Sequence, residues 1–269
     1  MKRESVDQLI RIIEEIAAGK YSNSIMEFTR EEQPEGVRRV AEAVGLMMVR
    51  VEARELRLQQ LVDELQGLND RLKENIVQTV TAIANALGAR DEYTRGHAVR
   101  VGAYAEGLAR RVGLTPGEVE QIRVAGILHD VGKIGLSDRV FSALDVRASA
   151  ELLREIHSHP DVGFQILDGL DFLKPALNYV LFHHERLDGR GYPKGIAGQE
   201  IPLGAQIISV ADTYDAITTD RPYKKGKSPA EAIAILRDIS GSCLDEALVE
   251  AFVQELEAGG PIVPGPPAG

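Results

Sequence analysis

The sequence predicts an all-α protein, on three observations. Apolar residues recur at spacings of three and four along most of the chain, no convincing period-2 strand occurs, and the 269 residues include no Trp and few aromatics. That length holds one large domain, or a domain of about 150 to 200 residues with an appendage, and either buries a substantial core.

From the N-terminus, Val6 to Ala18 form a short amphipathic helix closed by Gly19, Tyr21 to Pro34 form a connector, and a new helix begins near Glu35. Along that helix Val44, Met48, Val51, Leu58, Val62, Leu65, Leu72 and Ile76 alternate three and four apart, interrupted at Glu55 and Asn69. Such a seam predicts a dimeric coiled coil; Leu61 and Leu68 offer a neighbouring register, and the alternative is a long helix packed on its own domain. Further helices are expected over Val77 to Ala89, His97 to Val112, Thr115 to His129, Ala148 to His157, Phe172 to Glu185, Leu203 to Thr219, Pro229 to Ile239 and Leu244 to Leu256, with a turn at Pro160. Leu187 to Pro202, rich in Gly and Pro, is a loop, and the Gly-Pro-Ala tail is expected to be disordered. The chain thus divides into a helical and coiled-coil region over 1–75, a helical domain over 76–257 and a tail over 258–269.

A formal net charge of -10 disfavours nucleic acid and anionic membrane surfaces, which reward clustered Lys and Arg, but leaves room for a small anionic substrate. The single cysteine, Cys243, excludes an intrachain disulfide and a cysteine-based zinc knuckle, and fits a reducing compartment. Charges at Lys2, Arg3, Glu4 and Asp7, and the lack of any apolar run near ~18 residues, predict no signal peptide and no membrane span. A cytoplasmic location is therefore expected.

The chemistry lies in the histidines. All six fall between His97 and His184, about a third of the chain, in the settings His-Asp at a helix end, His-Pro at a turn and His-His before a Gly-rich loop. At Ala125 to Gly135 an apolar helix delivers His129 and Asp130, and glycines then let the backbone turn tightly. Imidazole and carboxylate serve Zn, Fe, Mn and Ni, and a carboxylate bridges two ions. Asp212 also sits on an apolar helix, where an unpaired carboxylate is costly. Five histidines and two aspartates are too many ligands for one tetrahedral zinc, but suit two octahedral ions with a shared carboxylate, the arrangement of phosphoester hydrolases. His157 and His159 are two apart and face different ways on a helix; His159 is taken as the ligand and His157 as the spare.

Seven ordered motifs sharpen this reading: Asp91 to His97 (D-E-Y-T-R-G-H), His129 to Gly135 (H-D-V-G-K-I-G), His159 to Gly163 (H-P-D-V-G), His183 to Pro193 (H-H-E-R-L-D-G-R-G-Y-P), Ile201 to Gly204 (I-P-L-G), Val210 to Ala216 (V-A-D-T-Y-D-A) and Arg221 to Lys224 (R-P-Y-K). Together they resemble the HD-GYP domain, the subgroup of HD phosphohydrolases that hydrolyse cyclic di-GMP. The resemblance implies an HD-type helical bundle with extra helices and a metal set of His97, His129, Asp130, His159, His183, His184 and Asp212, with Asp130 bridging. It also implies that Lys133 lies over the metals as a catalytic and substrate-binding group, and that Arg221 and Lys224 grip substrate phosphate. Gly191, Tyr192 and Pro193 form the loop that names the family, a place for regulatory protein contacts; Tyr192 either stacks on a guanine or packs the loop. Some family members hold a third metal with a Glu where this chain has Tyr93, so two divalent ions are expected here, iron or manganese. Glu92 beside it points elsewhere on a regular turn. Phe141 to Ala150 lacks the Lys-Pro-Gly stretch common in the family, which implies a different lid.

The function expected is phosphodiester hydrolysis of cyclic di-GMP by a water activated between the metals, with Lys133 steadying the phosphoryl charge or helping to protonate the leaving oxygen. Two alternatives stand beside it, a phosphodiesterase for cyclic GMP-AMP and a non-catalytic sensor of the dinucleotide. The N-terminal helix, connector and helix resemble a HAMP-type module, with Pro34, Glu35 and Gly36 approximating its acidic motif, and imply regulation through a homodimer.

Overall fold

The computed structural model describes residues 2–20, 23–87, 96–142, 149–220 and 225–259. Among them no strand occurs, only an isolated bridge between Ser240 and Leu244. The helices are α1 (Lys2–Ala17), α2 (Glu35–Leu87), α3 (His97–Arg111), α4 (Pro116–Leu128), α5 (Asp138–Ser142), α6 (Ala150–Ile156), α7 (His159–Leu167), α8 (Lys174–Phe182), α9 (Leu203–Thr218), α10 (Pro229–Ile239) and α11 (Glu246–Glu257). Short 3-10 turns lie at Asn23–Thr29, Val131–Gly135, Asp171–Leu173 and Gly198–Glu200. The all-α expectation holds. Tyr93, Glu92, Arg221, Lys224, most of the segment 141–150 and the tail beyond Gly259 lie outside the described residues.

Two compact units divide at Leu72 and Lys73. In the first, Leu9 and Ile16 of α1, Ile25 and Phe28 of the 3-10 turn, and Val37, Ala41 and Met48 of α2 form a small core. The connector expected between the first two helices is thus partly structural, because Ile25 and Phe28 turn inward. From Glu52 to Leu72 every residue of α2 is exposed. The helix expected as separate pieces near Ile76 runs unbroken over 53 residues, since no Gly or Pro interrupts it there.

The second unit is built on α3, which packs against α4, α9 and α11, while α8 lies against α4, α7 and α9. Leu108, Ile122, Leu128, Ile207, Ile208, Leu236 and Phe252 are fully buried between them. Each such side chain contributes roughly 1.5–3 kcal/mol relative to exposure. Helix starts are set locally: Thr115 and Glu118 form a capping box on α4, and Ser228 and Glu231 form another on α10. A cap of this kind is worth about 1 kcal/mol. At the other end of α4, His129 is its C-cap residue.

Two boundaries differ from the sequence expectation. Pro160 does not stop a helix; it starts α7 within its first turn, where its missing N–H is no loss. The helix expected to run to Glu185 ends at Phe182, and His183 caps it. Both differences put a histidine at a helix end.

Candidate metal centre

Four helices bring their ends to one place. His97 opens α3, His159 opens α7, His129 caps the C-terminus of α4 and His183 that of α8, while Asp212 comes from the middle of α9. Asp130 and His184 follow directly in the turns after α4 and α8. One backbone approach makes the convergence possible: a Cβ on Gly132 would lie 1.9 Å from the carbonyl oxygen of His159, so only glycine lets the Val131–Gly135 turn sit on α7.

The seven donors form two adjoining groups. Asp130, His159, His183 and His184 offer ligand atoms all within 4.8 Å of one another, and so do His97, His129 and Asp212. Asp130 faces both groups. Its Oδ2 lies 3.4 Å from His129 Nε2 and 3.7 Å from His97 Nε2, while its Oδ1 lies 3.3 Å from His159 Nε2. Asp212 Oδ1 is 3.3 Å from His97 Nε2 and 3.8 Å from His129 Nε2. All seven residues expected as ligands are thus together, and Lys133 stands beside them with Nζ 2.5 Å from Asp130 Oδ2.

Hydrogen bonds on the far side of each ring decide which nitrogen faces the cluster. His129, His159 and His183 each place Nδ1 2.7 Å from a backbone carbonyl three residues earlier, those of Gly126, Ile156 and Val180. A carbonyl only accepts, so Nδ1 carries the hydrogen and Nε2 is left with a lone pair. His129 Nε2, His159 Nε2, His183 Nε2 and Asp130 Oδ1 are buried with no hydrogen-bond partner among the described residues. Four acceptors facing one another without a donor are costly in a folded interior. Divalent cations remove that cost, so imidazole and carboxylate donors in this array fit a metal centre of two ions.

The two groups differ electrostatically. Burial alone would lower the His97 pKa, but its hydrogen bonds with Asp212 and Asp215 outweigh burial and raise it to about 9. His184 is lowered to about 3 by burial, only partly offset by Asp212, and burial among other imidazoles holds His183 well below its ordinary value. Asp130 is kept well below the carboxylate range: burial acts against the charge, and Lys133 and His129 overcome it.

Two supporting residues escaped the sequence reading. Asp215 is buried, with Oδ2 2.7 Å from His97 Nδ1, and it accepts from Arg100 through both oxygens at 2.6 and 2.9 Å. Arg100 Nη2 also reaches Thr219 Oγ1 at 3.1 Å. The signal was present in the spacing: Asp215 is three residues after Asp212 and Arg100 three after His97, so each pair shares a helix face. Tyr192 lies over the same site, its ring 4.7 Å from that of His184, and burial followed by the Asp130 and Asp212 charges raises its pKa.

Residues 80–248 match the family model for the HD domain. The chain is 36% identical over 184 residues, 67% of its length and 50% of the relative's, to a cyclic di-GMP phosphodiesterase of Thermotoga maritima. It is 34% identical over 177 residues, 66% of its length and 38% of the relative's, to a 3'3'-cGAMP-specific phosphodiesterase of Vibrio cholerae. It spans about half or less of the curated relatives it matches. A solved structure from Bdellovibrio bacteriovorus, described as an HDG"Y"P protein, superposes with a TM-score of 0.50 at 25% identity, covering 60% of this chain and 51% of that one. The HD match takes in more than half of the chain, and the chain belongs to the HD domain family, on the HD-GYP branch that its motifs resemble.

Proposed function

We propose that the protein is a metal-dependent phosphodiesterase that opens the 3′-5′ phosphodiester of cyclic di-GMP. The observation that carries this reading is the two-faced Asp130, with one carboxylate oxygen toward His97 and His129 and the other toward His159. In this reading His97, His129, Asp130 and Asp212 hold one ion, and Asp130, His159, His183 and His184 the other. When bound, two such ions supply a water acidic enough to act near neutral pH and neutralise charge on the phosphoryl oxygens.

The chain's own groups do the rest. The Nδ1 hydrogen bonds lock the three rings to their carbonyls, so no reorganisation is needed when substrate arrives. Lys133, beside the Asp130 carboxylate, keeps its proton at Nζ and presents it to a phosphoryl oxygen or to the departing 3′ oxygen. Leu128 and Val131, both buried, keep water from the inner side of the site. Arg221 is the planar fork for a non-bridging phosphate and Lys224 a point charge beside it; both roles rest on the family motif. Iron or manganese is the assigned metal pair.

Cyclic di-GMP is favoured by the 36% identical relative, and cyclic GMP-AMP is a second reading because a 34% identical relative carries that specificity in its name. The test is hydrolysis of the two dinucleotides in competition by protein purified without oxygen, with metal analysis and His129→Ala as control. Faster loss of cyclic di-GMP and about two bound ions are expected, with activity lost and the ion content lowered in the variant. Equal or faster turnover of cyclic GMP-AMP overturns the substrate; binding without cleavage makes the protein a sensor.

The region 1–75 is assigned a regulatory role and 76–257 the hydrolase. Two copies pair through α2 in this reading, since Leu58, Val62, Leu65 and Leu72 stand exposed along a bare stretch of helix. Leu65→Glu should convert a dimer to a monomer in light scattering; a wild-type monomer would discard the pairing.

A further inference from the structure

His157 has no ligand role in the reading above, yet its ring lies flat on that of Tyr192, with centroids 4.0 Å and planes 12° apart. Tyr192 also packs against His184, tilted at 35°, and meets the ring of His159 edge-on at 6.3 Å. A tyrosine ring engaged by two imidazoles is not a free platform for a guanine. Its remaining chemical handle is the hydroxyl.

The backbone around Tyr192 is held as firmly. The Tyr192 N–H donates to the His184 carbonyl at 3.2 Å. The buried Glu185 accepts, at Oε1, the backbone N–H groups of Lys194 and Gly195 at 2.7 and 3.0 Å. Gly191 packs so tightly onto the same strip that a Cβ there would meet Glu185 Cα at 2.4 Å. Both flanks of Tyr192 are therefore tied to the His183-His184-Glu185 segment. His157, on the turn between α6 and α7, is the group outside that segment that lies flat on the ring. The ring contacts with His184 and His159 place Tyr192 beside the metal donors.

We propose that His157 is a positioning residue: stacked on Tyr192, it holds the phenol so that the hydroxyl, rather than the ring face, donates a hydrogen bond to the substrate phosphate. The proposal rests on the phosphodiesterase reading, and gives the histidine left without a ligand role a place at the same site. It also answers the question that the sequence left open for Tyr192, in favour of a packed ring with a working hydroxyl.

The test uses the full metal-loaded chain with cyclic di-GMP and with bis(p-nitrophenyl) phosphate, a simple diester that has no base to stack. His157→Ala should lower kcat on both substrates about ten-fold with metal content unchanged. His157→Phe, which retains a stacking ring, should stay within about two-fold of wild type. Tyr192→Phe should lose at least as much as His157→Ala, and the double variant His157→Ala with Tyr192→Phe should be no slower than Tyr192→Phe alone. In metal-free protein the tyrosine ring current should move the His157 Hε1 resonance upfield, and Tyr192→Leu should return it. The proposal is overturned by a His157→Phe variant as slow as His157→Ala, by losses that multiply in the double variant, or by a His157 resonance that Tyr192→Leu leaves unmoved. Wild-type protein that cleaves the simple diester alone overturns only the choice of nucleotide; protein that cleaves neither overturns both readings.

Discussion

The two sides of the metal centre are built from the same residue types and differ in what stands behind them. Behind His97 is a buried carboxylate, Asp215, itself held by Arg100. Behind His159 and His183, and behind His129 on the His97 side, are neutral backbone carbonyls, so His97 is the ring that sets its side apart. The first arrangement draws positive charge to the ring, and the second only orients it. His97 is raised to about 9 because its hydrogen bonds with Asp212 and Asp215 outweigh burial, whereas burial lowers His184 to about 3 and Asp212 only partly offsets it. The carboxylates around His97 hold a proton on its ring, whereas burial keeps His184 neutral.

The largest expected effect removes the distinction altogether. Asp130→Asn takes away the group that faces both sides, and kcat should fall by at least about 10³-fold with loss of both ions. Metal content by elemental analysis checks this, and a variant that keeps two ions would refute the bridging role. Next, Asp212→Ala and His183→Ala should each empty one side. Each variant should retain about one ion per chain, because all four donors, Asp130 among them, then remain for the other position. Loss of both ions in either variant would mean that the two sides load as one unit.

A smaller effect should come from behind the His97 side. Asp215→Asn keeps the shape but removes the charge that polarises His97 and neutralises Arg100, and metal affinity there should drop about 10–100-fold while the His183 side is unchanged. Asp215→Ala is a harsher change. It leaves the Arg100 guanidinium buried without its carboxylate, which costs roughly 3–5 kcal/mol of stability. Chelator competition followed by thermal unfolding separates the two effects. Equal weakening on both sides after Asp215→Asn would break the comparison.

Much of the donor set was readable in the sequence because its signal is residue type and crowding: His129 and Asp130 after an apolar helix, His183 and His184 before a Gly-rich loop, Asp212 on an apolar helix. What stands behind the donors was not. Asp215 meets Arg100 across 115 positions of sequence and His97 across 118, and such distances leave no periodic trace; only the spacing of three within each helix hinted at them. His157 stacks on a tyrosine from another loop, which no local pattern records. Helix ends were also misjudged where one residue serves two structures, since Pro160 ends a pattern as readily as it begins α7. The all-α class came from hydrophobic period, the lack of period-2 strands and the scarcity of aromatics, all of which are insensitive to such boundaries.

The smallest effect tests the electrostatic contrast directly, through protons. His97 has its folded, metal-free pKa raised to about 9, so at pH 7 it holds a proton that an incoming ion must displace. Affinity on that side should rise by about one decade per pH unit up to about pH 9 and then level off. His184, lowered to about 3, has no proton to give up between pH 6 and 9, so it adds no such slope on its side. The same shifts act on the metal-free fold with opposite signs. The His97 contribution to stability is complete below its unfolded value of 6.5 and is lost as pH rises through about 9, whereas the His184 contribution is complete above 6.5 and is lost as pH falls through about 3. Calorimetric titration of zinc into His183→Ala and Asp212→Ala, in buffers of different ionisation enthalpy, counts the protons released on each side. More protons released on the His97 side than on the other is the expected result; equal counts would mean that Asp215 does not distinguish the two sides after all.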